Sequence, residues 1–253
     1  ARRFERQLAL MPTARAANPS TTPHEPRLAR IAALVADATR ARMLSYLLGG
    51  ELASASELAR CASVSAATAS GHLAKLLDAE LVACEPRGRH RYYRLADAEV
   101  AHALEALALV AERSSHADTW ARPERARLRA ARCCYGHLAG QAGVALMDHL
   151  QREGWLAPAG PAFALTAAGA QALNGWGLDG ETWRARLASP GQRRQAYGCL
   201  DWSERRDHLA GPLASALLAH FIERGWLRRR PGERALAATP TGRQALAWWP
   251  VTD

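Results

Sequence analysis

The chain has 253 residues, enough for one large domain or two modest ones, and carries 33 Lys+Arg against 24 Asp+Glu, a formal charge of +9. No run approaches ~18 uncharged apolar residues, and the basic opening Ala1-Arg2-Arg3-Phe4-Glu5-Arg6 lacks the apolar core of a secretory signal, so neither a membrane span nor export is expected. Five scattered cysteines, an odd number, argue against a disulfide scaffold and fit a reducing cytoplasm, while a charge carried almost wholly by arginine favours a polyanionic partner.

Residues 1–26, with Pro12, Pro19, Pro23 and Pro26, read as a flexible arm. From Arg27 to Leu48, Leu28, Ile31, Leu34, Met43, Leu44 and Leu47 recur at helical spacing. Asp37-Ala38-Thr39 breaks this stretch into two helices, and Gly49-Gly50 ends the second. Ser54 caps a short third helix with Leu58 and Ala59 inward; Ala62-Ser63-Val64 turns the corner, and Ser65 caps the next helix. That helix buries Ala69, Leu73, Leu76 and Leu77 and turns Ala66, Ala67, Ser70, Gly71 and Lys75 outward. Small residues near its start permit close approach to a groove, and its first amides favour phosphate. Gly71 removes one side-chain contact and costs the helix roughly 0.5–1 kcal/mol.

Leu81-Val82-Ala83-Cys84-Glu85 and Arg91-Tyr92-Tyr93-Arg94-Leu95 pair as a hairpin around Gly88-Arg89-His90, one face packed and one wet. A soluble core helix or a solvated basic hairpin explains either piece alone. Together they give a winged helix-turn-helix that docks on double-stranded DNA. Its expected contacts are Ser65, Ala66, Ala67, Thr68, Ser70, Gly71, His72 and Lys75 from the helix, with Arg87, Arg89, His90 and Arg91 from the wing. The apolar helix between Asp97 and His116, with the helix over 27–36, is expected to join two copies into a homodimer that reads an inverted repeat.

These residues resemble the ArsR/SmtB family of bacterial winged-helix repressors. The resemblance rests on Ala38-Thr39-Arg40-Ala41-Arg42-Met43-Leu44, Glu57-Leu58-Ala59, Thr68-Ala69-Ser70-Gly71-His72-Leu73-Ala74-Lys75-Leu76 and Gly88-Arg89-His90-Arg91-Tyr92-Tyr93-Arg94-Leu95, and spans roughly residues 27–117. It implies a homodimer and repression relieved by a ligand. Members often carry arginine before the histidine, where this chain has Gly71. The family's paired-thiolate pattern is incomplete, because Glu57-Leu58 is followed by Ala59-Arg60-Cys61. Asp97, Glu99, His102, Glu112 and His116 do not reproduce its other metal spacing.

The remainder, 119–253, contains an echo. His137-Leu138-Ala139-Gly140, ending in Gly154-Trp155-Leu156, returns 71 positions later as His208-Leu209-Ala210-Gly211, ending in Gly225-Trp226-Leu227. Thr166 with Gly169 and Thr239 with Gly242 follow in turn. The expected fold is therefore mainly α with short β-hairpins: a winged helix-turn-helix domain over 27–118, then two winged-helix-like repeats over 119–253 that sense an effector or stabilise the dimer. Arg228-Arg229-Arg230 offers the later copy a possible second DNA contact, which Ala157-Pro158-Ala159-Gly160-Pro161 denies the earlier one.

The seam between copies is the expected ligand site. Cys133, Cys134, His137, Cys199 and His208 suit zinc or another thiophilic metal, or a redox pair, with Cys134 or Cys133 and His137 sharing a helix face. The same cysteines also suit a plain core. An aromatic pocket for a small organic effector would use Tyr135, Trp155, Trp202 and Trp226. Catalysis would need Cys199 or Cys133 beside His208 or His137, but no nucleophile elbow, phosphate loop or His-Glu-x-x-His run accompanies them, so no enzyme is expected.

Overall fold

The computed structural model describes residues 28–50, 52–87, 90–114, 121–189, 195–230 and 233–250. The expected arm over 1–26 lies outside the described residues, as do Gly88 and Arg89 of the wing.

Local chemistry divides the first helices. Helix α1 (Leu28–Val35) stops before α2 (Ala38–Leu47) because Asp37 is extended and its carboxylate accepts a hydrogen bond from Arg40 N at 2.9 Å. Strand β1 (Ala53–Ser54) leads into α3 (Ala55–Ala62), which opens with a complete capping box. Glu57 N donates to Ser54 Oγ at 3.3 Å and Ser54 N donates back to the Glu57 carboxylate at 2.8 Å. Ser63, left-handed at φ 57°, swings the chain into α4 (Ala66–Asp78), capped by Ser65 through Thr68 N. Ala69, Leu73 and Leu76 bury the inner stripe of α4; Leu77, at its edge, is half-buried.

Strands β2 (Val82–Arg87) and β3 (His90–Leu95) form the wing, with Glu85 opposite Tyr92 and Arg87 opposite His90. Strand β1 pairs with the other edge of β3, opposite Tyr92 and Tyr93. Helix α5 (Ala98–Ala111) follows, capped by Asp97. Met43, Leu44, Leu47, Leu58, Leu73, Leu76, Tyr93 and Leu95 belong to one core that holds helices and wing together.

After α6 (Pro123–Ala130), one unit occurs twice. The first copy runs β4 (Arg132–Cys134), β5 (His137–Ala139), α7 (Gln141–Arg152), β6 (Leu156–Ala159), β7 (Ala162–Leu165) and α8 (Ala167–Trp176), with α9 (Gly180–Ala188) as connector. The second runs β8 (Tyr197–Leu200), β9 (Asp207–Ala210), α10 (Pro212–Glu223), β10 (Leu227–Arg229), β11 (Leu236–Ala238) and α11 (Pro240–Ala245).

Equivalent residues make equivalent bonds. Trp155 N donates to Leu150 O at 2.8 Å and Trp226 N to Phe221 O at 2.9 Å. Thr166 Oγ1 donates to Gly154 O at 2.8 Å, Thr239 Oγ1 to Gly225 O at 2.7 Å, and each hydroxyl caps the next helix at Gly169 or Gly242. Both of those glycines are required, since a Cβ on either would run into the carbonyl of the preceding tryptophan. The two copies share a single core through Leu146, Leu150, Leu213, Leu217 and Phe221.

One expectation is corrected here. Neither Cys133 nor Cys134 shares a helix face with His137, because Tyr135 and Gly136, at φ 46° and 94°, make a two-residue hairpin turn between β4 and β5. Two consecutive positive φ values suit the hairpin twist, whereas a helix excludes them.

Candidate functional site

Ser65, Ala66, Ala67, Thr68, Ser70, Gly71 and Lys75 are all exposed at the start and along the outer face of α4. The Ser65 and Thr68 hydroxyls lie 2.9 Å apart, and Ser70 Oγ donates to Ala66 O at 2.9 Å. His72 departs from this set. Its Nδ1 sits 3.6 Å from Asp37 Oδ1 and 3.5 Å from Arg40 Nη1, so the ring is half-buried against the start of α2. On the wing, Arg87, His90 and Arg91 are exposed; Arg91 Nε donates to Cys84 Sγ at 3.3 Å, and Arg87 stands 3.4 Å from Glu85. Arg94 belongs to the wing's own framework. It donates to Glu85 at 2.8 Å and to the carbonyls of Leu95 and Ala96 at 3.1 and 2.8 Å, and it holds the Glu85 carboxyl below its ordinary range.

The second constellation is assembled by hairpin register. Cys134 lies directly opposite His137, and Cys199 directly opposite His208, so each pair shares one face of its hairpin. The two hairpins meet, and one ligand atom from each of these four residues lies within 4.8 Å of every other. The His137 and His208 ring centroids are 5.1 Å apart. Cys134, His137 and His208 are buried and Cys199 partly so. Cys133 is not in the set: strand alternation turns it to the opposite face, into the shared core.

Asp201 anchors this cluster. Fully buried, its carboxylate accepts from Gly140 N at 2.6 Å, from Ser203 N at 2.9 Å and Ser203 Oγ at 2.7 Å, and lies 3.0 Å from Arg132 Nη2 and 3.2 Å from His208 Nδ1. Burial pushes its pKa up, but His208, Arg132 and Ser203 outweigh burial and hold it far below the carboxylate range. Burial likewise disfavours a charged His208, yet Asp201 and Cys199 raise it to about 9. Burial and the neighbouring His208 push His137 well below its ordinary value. The thiols split: hydrogen bonding with Cys134, aided by His208, draws Cys199 down to about 5, and the same bond with burial drives Cys134 up.

A helix-turn-helix domain model matches residues 35–85, which span α2 through most of β2. The uncharacterized HTH-type transcriptional regulator YdfF of Bacillus subtilis is 39% identical over 221 residues, covering 87% of this chain and 96% of its own length. The chain belongs to the HTH-type transcriptional regulators. Among solved structures, a homodimeric winged helix-turn-helix DNA-binding domain from Mycobacterium bovis, described as a possible ArsR-family transcriptional regulator, is 25% identical. It covers 38% of this chain and 97% of that domain, with a TM-score of 0.32. The cadmium metal sensor CMTR from Mycobacterium tuberculosis is 35% identical over 31% of this chain and 81% of its own, with a TM-score of 0.28.

In this regulator the second half is docked on the first. Tyr135 N donates to Leu48 O at 2.7 Å, Arg229 Nη1 to Gly49 O at 3.1 Å, and Arg234 Nη1 to Glu105 Oε1 at 2.7 Å. The Tyr197 hydroxyl lies 3.3 Å from His102 Nε2. Arg132, wholly buried, stands 3.9 Å from Glu105 and 3.0 Å from Asp201, so a polar chain runs from α5 to the Cys–His cluster. Beside it, His102, Glu105, Ala106, Leu109, Tyr197 and Cys199 line a pocket of about 260 Å³. Sequence reading missed Glu105 and Arg132. The available signal was one carboxylate inside the apolar Ala103-Leu104-Glu105-Ala106-Leu107 run, which a buried helix keeps only with a cationic partner.

The four residues of the expected aromatic pocket fall in three places, with Trp155 and Trp226 joined through Trp176 and Phe221, whose rings are 5.4 Å apart. Trp155 packs edge-on against Trp176 at 5.3 Å, Trp226 against Phe221 at 5.8 Å, Trp202 under the Arg132 guanidinium at 4.2 Å, and Tyr135 against the core of the first half. Trp155 and Trp226 each follow a helix-ending glycine and lead into the next hairpin, while Trp202 and Tyr135 sit in different hairpin turns. Of the Arg228-Arg229-Arg230 run, Arg229 serves the docking contact rather than an open phosphate grip.

A test of the α4 surface lies at Gly71. A Cβ there meets nothing within 4 Å, and the residue is helical. Gly71→Ala is expected to stabilise the chain by roughly 0.5–1 kcal/mol in denaturant titration. Destabilisation would mean that this face is occupied by the chain's own side chains.

Proposed function

We propose that this regulator binds double-stranded DNA as a homodimer, reads an inverted repeat, and represses transcription until an effector bound in or near its second half releases it. The observation that carries the reading is the exposed, small-residue face of α4 beside a wing that keeps Arg87, His90 and Arg91 in solvent. Short side chains let the backbone of α4 approach base edges, and the guanidinium groups neutralise phosphates. The dimer reading rests on apolar surface that the single chain leaves uncovered on the first and last helices of this half: Leu28 is 68%, Leu107 52% and Val110 53% exposed. Effector control is supported by the polar chain linking α5 to the second half, and a pocket of about 260 Å³ suits an ion or a small organic molecule better than a large ligand.

Selection of full-length protein on random DNA duplexes tests this. The enriched sites should be inverted half-sites centred about one helical turn, ~10–10.5 bp, apart. Leu107→Glu with Val110→Glu should convert the dimer to monomer in sedimentation and abolish preference for the paired site. A single unpaired half-site bound equally well by both proteins would refute the homodimeric reading.

A further inference from the structure

We propose that Cys134, His137, Cys199 and His208 form a four-coordinate site for one thiophilic divalent ion of the zinc class, fastening hairpin β4–β5 to hairpin β8–β9. The proposal does not depend on how the winged helix reads DNA.

Four features support it. Two thiolates and two imidazoles are the ligand number and type that zinc takes in closed tetrahedral sites, with no position left for water or substrate. Their ligand atoms already lie within 4.8 Å of one another, and tetrahedral bonds of ~2.3 Å to sulfur and ~2.0 Å to nitrogen need separations of about 3.3–3.8 Å, so contraction of about 1 Å completes the shell.

Three of the four ring nitrogens of these imidazoles also lack an aligned hydrogen bond. His208 is fully buried and His137 97% buried by the same measure of exposure, yet His208 Nε2 and His137 Nδ1 make no hydrogen bond among the described residues. Leaving such groups unpaired is costly, and a metal ion answers a ring nitrogen's lone pair. Asp201 stands 3.2 Å from His208 Nδ1 without an aligned hydrogen bond, which places a carboxylate behind the ring, as metal-bound histidines commonly have.

Repetition adds a further constraint. The Cys–His cross-strand pair occurs in both copies although the turns between differ, two residues at Tyr135-Gly136 and six at Asp201–Arg206. Core packing alone has no need of the same two residue types at the same register on both sides of a seam. Soft thiolates exclude magnesium or calcium, and the imidazoles favour a borderline ion over a purely thiophilic monovalent one.

The test uses the full chain, purified under reducing conditions, stripped and reloaded with zinc and, separately, with cobalt(II). Elemental analysis should give one zinc per chain, and the cobalt form should show tetrahedral d–d bands with a sulfur-to-cobalt charge-transfer band sized for two thiolates. Cys134→Ser and His208→Gln should each lower zinc retained after dialysis at least about ten-fold. Cys133→Ser, in the neighbouring residue but on the opposite face, should keep the full equivalent and the same spectrum. A reduced wild-type chain that takes up neither ion, a cobalt spectrum without the charge-transfer band, or loss of metal from Cys133→Ser equal to that from Cys134→Ser would overturn the assignment. The wild-type cobalt spectrum decides even where a variant fails to fold.

Discussion

Glu105→Ala is expected to lower the folding stability of the full chain by about 3–5 kcal/mol, the usual cost of removing one partner from a buried ion pair. The carboxylate is 3% exposed and accepts from Arg234 at 2.7 Å, with wholly buried Arg132 at 3.9 Å. Truncation strands the Arg234 guanidinium, whose side chain is only 11% exposed, without its carboxylate acceptor. The pair itself is worth much less than this figure, because both charges were desolvated to make it. That distinction is measurable: Glu105→Ala with Arg234→Ala should regain part of the loss, since no charge is then left alone. Guanidinium denaturation of the three proteins reads the difference. A single-variant loss below about 1 kcal/mol would mean that water reaches this seam and that α5 is not held by it.

Legibility in the sequence followed the range of the interaction. Ser54 and Ser65 act on amides three residues away, so these hydroxyls named two helix starts directly, whereas Asp37 marked only a break and its capping role, like that of Glu57, comes from the structure. The wing was legible because Tyr93 and Leu95 alternate with Tyr92 and Arg94 at the period of a strand. The duplication was legible as well, since the Gly-Trp-Leu and Thr-x-x-Gly positions are each bound to a single local hydrogen-bonding role. Strand β1 escaped because two residues carry no period.

The Cys–His cluster was half legible. Its residue types were evident, but a three-residue spacing fits a helix turn as well as a hairpin, and the deciding signal was Gly136 after Tyr135. Which cysteine of the Cys133-Cys134 pair faces the seam depends on strand parity, and parity is set only once the turn is placed. The tryptophans misled for a related reason. Large aromatics mark cores and pockets alike, and only three-dimensional packing shows Trp155 and Trp226 joined through Trp176 and Phe221 against one core. Glu105, Arg132 and Arg234 meet across 27 to 129 positions of chain, a separation that no local pattern encodes.

Charge on the wing gives the second large effect. Arg87→Ala with Arg91→Ala is expected to reduce the slope of log binding constant against log salt by about 1.8, at roughly 0.9 for each phosphate contact on duplex DNA. The same counterion count predicts about a thirty-fold loss of affinity near 0.15 M salt, shrinking as salt rises. Both side chains are exposed, and the contacts they make, with Glu85 at 3.4 Å and Cys84 at 3.3 Å, are surface interactions that phosphate can displace at little cost. The loss should be nearly uniform over DNA sequences, because phosphates carry no base identity, whereas Ser70→Ala should change which sequences are preferred while leaving the salt slope intact. Arg94→Ala separates charge from architecture. Arg94 binds Glu85 and two carbonyls of its own chain, so its removal should loosen the wing in hydrogen exchange while lowering the slope by less than either Arg87 or Arg91. Equal slopes for wild type and the Arg87/Arg91 double variant would remove these two side chains from the DNA interface.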